Sequence, residues 1–152
     1  MFNRPIEFVS ASFGLTLETL AFISPMPAEE PIEAPGEAVL VRLPLTGGDL
    51  REIQLVAGRR FGKLVAANLL GASTEDPEVE ERCVDGLKEL MNIAGGAMLA
   101  NSGDGEAVPE MGIPEVEQFA AASDWEPFVT SPDVCIFDAE GNTIALRMRG
   151  AA

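Results

Sequence analysis

Asp85, Glu89 and Asn92 stand in the spacing D-x-x-x-E-x-x-N within the run Asp85-Gly-Leu-Lys-Glu-Leu-Met-Asn-Ile-Ala-Gly-Gly96. A carboxylate pairs with a cation, and a carboxamide, which is neutral and cannot act as a base, orients a water through its oxygen and nitrogen. At about 100° per residue of helix the three side chains fall in one narrow arc, and Gly96 joins them a turn later. A glycine in that arc lets another surface come close to the backbone, an arrangement suited to insertion into a partner's cleft. The opposite face, Cys83, Leu87, Leu90, Met91, Ala94, Ala97 and Met98, is an apolar stripe broad enough to lie on a sheet. A solvated helix face without a role is the plain alternative for any E-x-x-N pair. Helix energetics argues against it, because Asn92, Gly95 and Gly96 together are about 2 kcal/mol less favourable than alanines. Close packing accounts for Gly95 and leaves Asn92 and Gly96 to be explained.

Other residues narrow the chemistry. The chain has no histidine, which removes Ser/His/Asp and Cys/His catalysis and the usual histidine zinc sites. Cys83 and Cys135 are expected as reduced thiols, Cys83 on the apolar face, which favours the cytoplasm. Asp76, Glu78, Glu80 and Glu81 crowd a helix start, where acids complement the helix dipole; a divalent-ion site there is the weaker reading, and no metal site is expected. Gly47-Gly48 and Gly103-Asp-Gly105 lack the context of a phosphate loop and read as turns. Arg59 and Arg60 read as solvent-facing.

Ten basic against twenty-five acidic residues give a net charge of −15, which opposes nucleic acid and anionic membranes as partners. No segment reaches the roughly 20 apolar residues of a membrane span. Glu7 and Glu18 break the apolar character of the first segment, which therefore does not read as a secretory signal.

The elements that must hold the arc follow from periodicity and punctuation. The 152 residues are one domain's worth, with residues 24–37 a Pro-rich acidic connector. Ile6 to Ile23 reads as an irregular helix packing through Phe8, Leu15, Leu20 and Phe22. Ala38 to Leu45 and Leu50 to Val56 form a hairpin around Gly47-Gly48-Asp49. Gly58 to Leu70 is a helix stopped by Gly71. Thr74 to Pro77 opens the longest helix, which carries the arc and runs to about Asn101. Strands are predicted near Ala107 to Pro114, Phe128 to Phe137 and Thr143 to Arg149, the last two joined at Ala139-Glu-Gly-Asn142. The fold class is α+β: two layers, long helices on one side of a mainly antiparallel sheet, in two loosely repeated halves. The apolar runs Val134-Cys-Ile-Phe137 and Ile144-Ala-Leu146 suggest an exposed sheet edge and a homodimer through it, opposed by charge repulsion.

The motif resembles that of the CheC/CheX family of chemotaxis phosphatases: Asp or Ser, three residues, Glu, two residues, Asn, then a proline a little over twenty residues on. Asp85, Glu89 and Asn92 match in register, Pro114 falls one residue short of the family's proline, and Glu-Leu-Met-Asn-Ile-Ala-Gly-Gly is similar to the family's helix core. The similarity runs from about Ala38 to Arg149. In the first helix Glu18 is followed three residues later by Ala21 in place of Asn, so the resemblance implies one site, as in CheX-like members. It implies a phosphatase for the phospho-aspartate of a CheY-like response regulator, in which Asn92 orients the attacking water and Glu89 pairs with the regulator's active-site lysine. Asp85, Ile93 and Gly96 would touch the partner, and Mg²⁺ would be held by the regulator's own acidic residues. The rival is a non-catalytic binding or scaffold module of the same fold, related in shape to flagellar switch proteins.

Overall fold

The computed structural model describes residues 5–28, 32–48, 50–101 and 110–150. In chain order the elements are α1 (Pro5–Leu20), β1 (Pro25–Pro27), β2 (Ala38–Thr46), β3 (Leu50–Gly58), α2 (Arg59–Leu70), α3 (Pro77–Glu81), α4 (Cys83–Asn101), β4 (Glu110–Met111), β5 (Glu115–Gln118), α5 (Ala121–Val129), β6 (Val134–Ala139) and β7 (Asn142–Gly150). The strands form one antiparallel sheet in the order β1-β6-β7-β3-β2-β4, with β5 also paired to β2. This is the expected α+β architecture.

Alternation along the strands sends Val41, Leu43 and Leu45 of β2, Ile53, Leu55 and Ala57 of β3, and Ile144 and Leu146 of β7 to one face. There they meet Val9, Phe13 and Leu17 of α1, Phe61 and Val65 of α2, and the buried stripe of α4. Each such aliphatic or aromatic side chain contributes about 1.5–3 kcal/mol on burial. The second face is partly covered too. Trp125 and Phe128 of α5 pack with Val56 and Ala145, and with the half-buried Leu40, Phe119, Val134 and Ile136. Residues 121–129 are thus helical, although Phe128 and Val129 read as the start of a strand; the predicted strand begins only at Val134.

Three further expectations need correction. The packing face of α1 is Ile6, Val9, Phe13 and Leu17, while Leu15 is 59% and Phe22 74% exposed; the side chain of Phe8 lies outside the described residues. Thr16 misleads the reading, because it is buried with its hydroxyl donating to the Ser12 carbonyl at 3.0 Å and so joins the inner face. Within the Pro-rich stretch, Pro25–Pro27 is a short strand on β6; residues 29–31 lie outside the described residues. The runs expected at a free edge are internal, since β6 lies between β1 and β7, and β7 between β6 and β3. They give no support to an edge-to-edge homodimer. The outer strand β1 bears two prolines without N–H groups and β5 bears exposed Glu115 and Glu117, both devices that blunt an edge.

Most of the remaining punctuation is as read. Gly71 caps α2 in the left-handed conformation, and Glu140 and Gly141, with φ of 53° and 84°, make the two-residue turn from β6 to β7. Asp76 caps α3 by accepting from the Glu78 amide at 2.9 Å, with Pro77 in the first turn. The expected single helix is interrupted at Arg82, which separates α3 from α4. Asp49, Gly103-Asp-Gly105 and the predicted strand's residues 107–109 lie outside the described residues.

On the second face a polar chain crosses three strands. Arg42 grips Glu52 through Nε and Nη2 at 2.7 and 2.9 Å, Gln54 donates to Glu52 at 2.5 Å, and Arg147 donates to Gln54 at 2.8 Å while lying over the Phe128 ring. The hydrogen bonds from Arg42 hold the Glu52 carboxyl below the usual glutamate range, against the opposing effect of burial. Its contribution to stability is therefore complete above the unfolded-state value of about 4.3 and is lost as pH falls through the lower folded value. Glu52→Gln should lower Tm at pH 7, and the gap to the parent should shrink below about pH 4. Thermal melts from pH 7 to pH 3 check this, and a pH-independent gap would contradict it.

Candidate functional site

The rotation of α4 about its axis decides what it offers to solvent. Cys83, Leu87, Leu90, Met91, Ala94 and Met98 are buried, each 2% exposed or less, as the stripe predicted; Ala97 is only half-buried. Asp85, Glu89 and Asn92 are accordingly exposed on the outer arc. Their side chains make no hydrogen bond or ion pair with another described residue, so both functional groups of the Glu89–Asn92 pair are free for an incoming partner. The two are i and i+3 on a continuous helix and project side by side.

The two glycines of the helix core separate as their positions imply. A Cβ on Gly95 would collide with Leu43 and lie 2.8 Å from the Met111 sulfur, whereas one on Gly96 would meet nothing within 4 Å. Gly95 thus lets α4 settle onto β2 and β4. Gly96 leaves open space beside the polar arc.

That close seating brings a second element to the arc. Glu110 and Met111 pair with Thr46 and Leu45, and pairing resumes at Glu115 with Arg42. Gly112, Ile113 and Pro114 therefore stand opposite only Leu43 and Pro44, a bulge in the outer strand. The Gly112 amide donates to the Pro44 carbonyl at 2.7 Å, and Pro114 is buried. Asp85, Lys88, Glu89 and Asn92 line one side of an open groove of about 440 Å³, and Gly112, Ile113 and Pro114 line the other.

Of the sequence-derived candidates the groove unites Asp85, Glu89 and Asn92 with Pro114. Ile93 is half-buried, and neither it nor Gly96 is in the groove lining. Lys88, Gly112 and Ile113 belong to the site and were not singled out by sequence; the Gly-Ile-Pro triplet signals an interrupted strand, but its place beside α4 depends on pairing with β2. Near the end of α1, Glu18 is exposed and Ala21, just past the helix, is fully buried, so the corresponding position offers no second carboxylate–carboxamide pair.

The acids at the helix start are engaged elsewhere. Glu80 pairs with Arg59 at 3.2 Å and with Lys63, and Glu78 with Arg82 at 3.3 Å. Arg59 is thus tied to α3 instead of standing free in solvent, while Arg60 is exposed. Both cysteines are free thiols, Cys83 buried and Cys135 half-buried. Among the described residues no group of three or more His, Cys, Asp or Glu is placed to hold a metal ion, and no helix is long and apolar enough to cross a membrane.

The paired glycines make a stability test of this geometry. Gly96→Ala should stabilise the fold by about 0.5–1 kcal/mol through helix propensity alone. Gly95→Leu, with the same gain in propensity, should destabilise it by about 1–3 kcal/mol through overpacking against Leu43 and Met111. Urea denaturation of the two variants checks the pair of signs.

No protein-family model and no curated protein sequence matches the chain. Solved structures do. A CheX chemotaxis protein from Desulfovibrio desulfuricans superposes with a TM-score of 0.66 at 16% identity, over 95% of this chain and 97% of that one. A chain of the CheX–CheY–BeF3–Mg²⁺ complex from Borrelia burgdorferi gives 0.68 at 17% identity, over 96% and 98%. A CheC-like superfamily protein from a Shewanella species gives 0.61 at 18% identity, over 99% and 100%. Across essentially its whole length, this chain has the fold of the CheC/CheX chemotaxis proteins.

Proposed function

We propose that this chain is a phosphatase that removes the phosphoryl group from the phospho-aspartate of a CheY-like response regulator by inserting Glu89 and Asn92 into the regulator's active site. The observation that carries the reading is the free, exposed Glu89–Asn92 pair, side by side on a helix whose opposite face is locked in the core. The likeness to a CheX found in complex with CheY, BeF3 and Mg²⁺ supports the choice of partner.

In this reading Asn92 does not abstract a proton. Its amide oxygen and nitrogen hold a water in line with the phosphorus, reducing the orientational freedom the water must lose on attack. Glu89 meets the regulator's lysine, an ion pair that docks the helix and shifts that lysine within the phosphate site. Mg²⁺ belongs to the regulator's own acidic residues, where it neutralises charge on the phosphoryl oxygens. Asp85, one turn before Glu89 and on the groove wall, touches the partner without taking part in the reaction. An acyl phosphate is labile, and positioning of a single water is sufficient for about a hundredfold acceleration, or about 2.7 kcal/mol of barrier.

Phosphate loss from several phosphorylated receiver domains, followed by stopped-flow in Mg²⁺, tests the proposal. The parent should accelerate decay for its cognate receiver, and Asn92→Ala should remove about 100-fold of that acceleration without lowering Tm, since the side chain is exposed and unpartnered and alanine is the better helix former. An Asn92→Ala variant as active as the parent would reject the mechanism. Binding of the receiver without any turnover by the parent would instead assign the chain as a docking module of the same fold.

A further inference from the structure

Ile113 is 79% exposed and stands on the wall of the groove opposite Glu89 and Asn92. Isolated exposed apolar side chains are ordinary on protein surfaces, but the setting of this one is not incidental. It is the middle residue of the bulge, and bulges re-aim side chains away from the sheet. Its neighbours are fixed on both sides: Gly112 is bonded to Pro44 and so close to it that a Cβ would lie 2.7 Å from the Pro44 ring, and Pro114 is buried. A residue before proline is restricted to extended backbone, and a β-branched side chain has few rotamers. Ile113 is therefore an apolar knob held in advance, with little conformational entropy left to lose on contact.

We propose that Ile113 is a docking and specificity residue, inserting into an apolar patch that borders the acidic phosphorylation site of the receiver domain. The inference rests on the functional reading above and deepens it by naming what holds the partner. The groove continues from the polar pair to Ile113, so a receiver placed over Glu89 and Asn92 must cover it. Polar contacts alone would have to overcome repulsion between this chain, at −15, and the carboxylates of the phosphorylation site; an apolar contact is indifferent to that charge. The residue holds substrate without touching the reacting atoms, and it selects receivers with an apolar surface beside the site over those with a charged one.

The test is steady-state dephosphorylation of the cognate receiver by the full chain, together with titration against the same receiver activated with beryllofluoride. Ile113→Ser should raise KM and Kd about tenfold to thirtyfold, the range for partial burial of an isoleucine, with kcat within about twofold and Tm unchanged. Ile113→Leu should recover most of the affinity. An Ile113→Ser variant with unaltered KM and Kd, or one that loses kcat at constant KM, overturns the docking role while leaving the phosphatase reading in place. A parent chain that neither binds nor dephosphorylates any receiver overturns both.

Discussion

The close approach of α4 to its neighbours is the constraint on which the rest of the site depends. A Cβ on Gly62 would lie 2.7 Å from the Cys83 carbonyl oxygen, one on Gly86 would lie 3.2 Å from the Ala66 methyl, and one on Gly95 would strike Leu43. Glycine at these three points lets α4 interlock with α2 along its first half and settle onto the sheet along its second. The contact is directional as well as close. A helix seated at three fixed points cannot rotate, and one residue of slip would turn the outer arc by about 100°. The buried stripe from Leu87 to Met98, at about 1.5–3 kcal/mol per large side chain, outweighs the roughly 2 kcal/mol of poor helix propensity in Asn92, Gly95 and Gly96. The polar pair can therefore be held at a defined angle without contributing to the fold.

Packing also explains the bulge. Met111 reaches the Gly95 backbone and Pro44 blocks one position of the ladder, so the outer strand can pair with β2 on either side of residues 112–114 but not through them. Two prolines and a glycine act together here: Pro44 and Pro114 withhold amide donors, and Gly112 permits the contact with Pro44. The interruption faces α4 because Gly95 has brought the helix down to that level.

How legible this was in the sequence varied with the physics involved. The α4 face, the β2–β3 hairpin, the Gly71 stop and the Glu140-Gly141 turn depend on local periodicity or backbone conformation, which residue types record directly. The α1 face failed because buried Thr16 is polar while exposed Phe22 and Leu15 are apolar; only the tertiary environment distinguishes them. The helix α5 failed for a related reason. Pro127 and the β-prone Phe128-Val129 argue against helix, yet burial of Trp125 and Phe128 on the second face of the sheet stabilises it. Half of the site was readable, since Glu89 and Asn92 share one helix. Of the opposite wall only Pro114 was marked, through the resemblance, because Ile113 reaches the groove only through pairing of residues far apart in sequence.

The electrostatics then set the character of recognition. Charge of one sign over the whole molecule slows encounter with an acidic partner, and the effect reaches about 8 Å at physiological ionic strength. Inside that distance the balance changes, because the groove wall carries Lys88 beside Asp85 and Glu89, and on the proposed reading Glu89 would meet a lysine of the partner. A complex assembled against long-range repulsion and held by a small contact forms slowly and separates readily. On the proposed phosphatase reading, rapid separation would let each regulator leave after a single hydrolysis, so the acidic surface would favour turnover over tight binding.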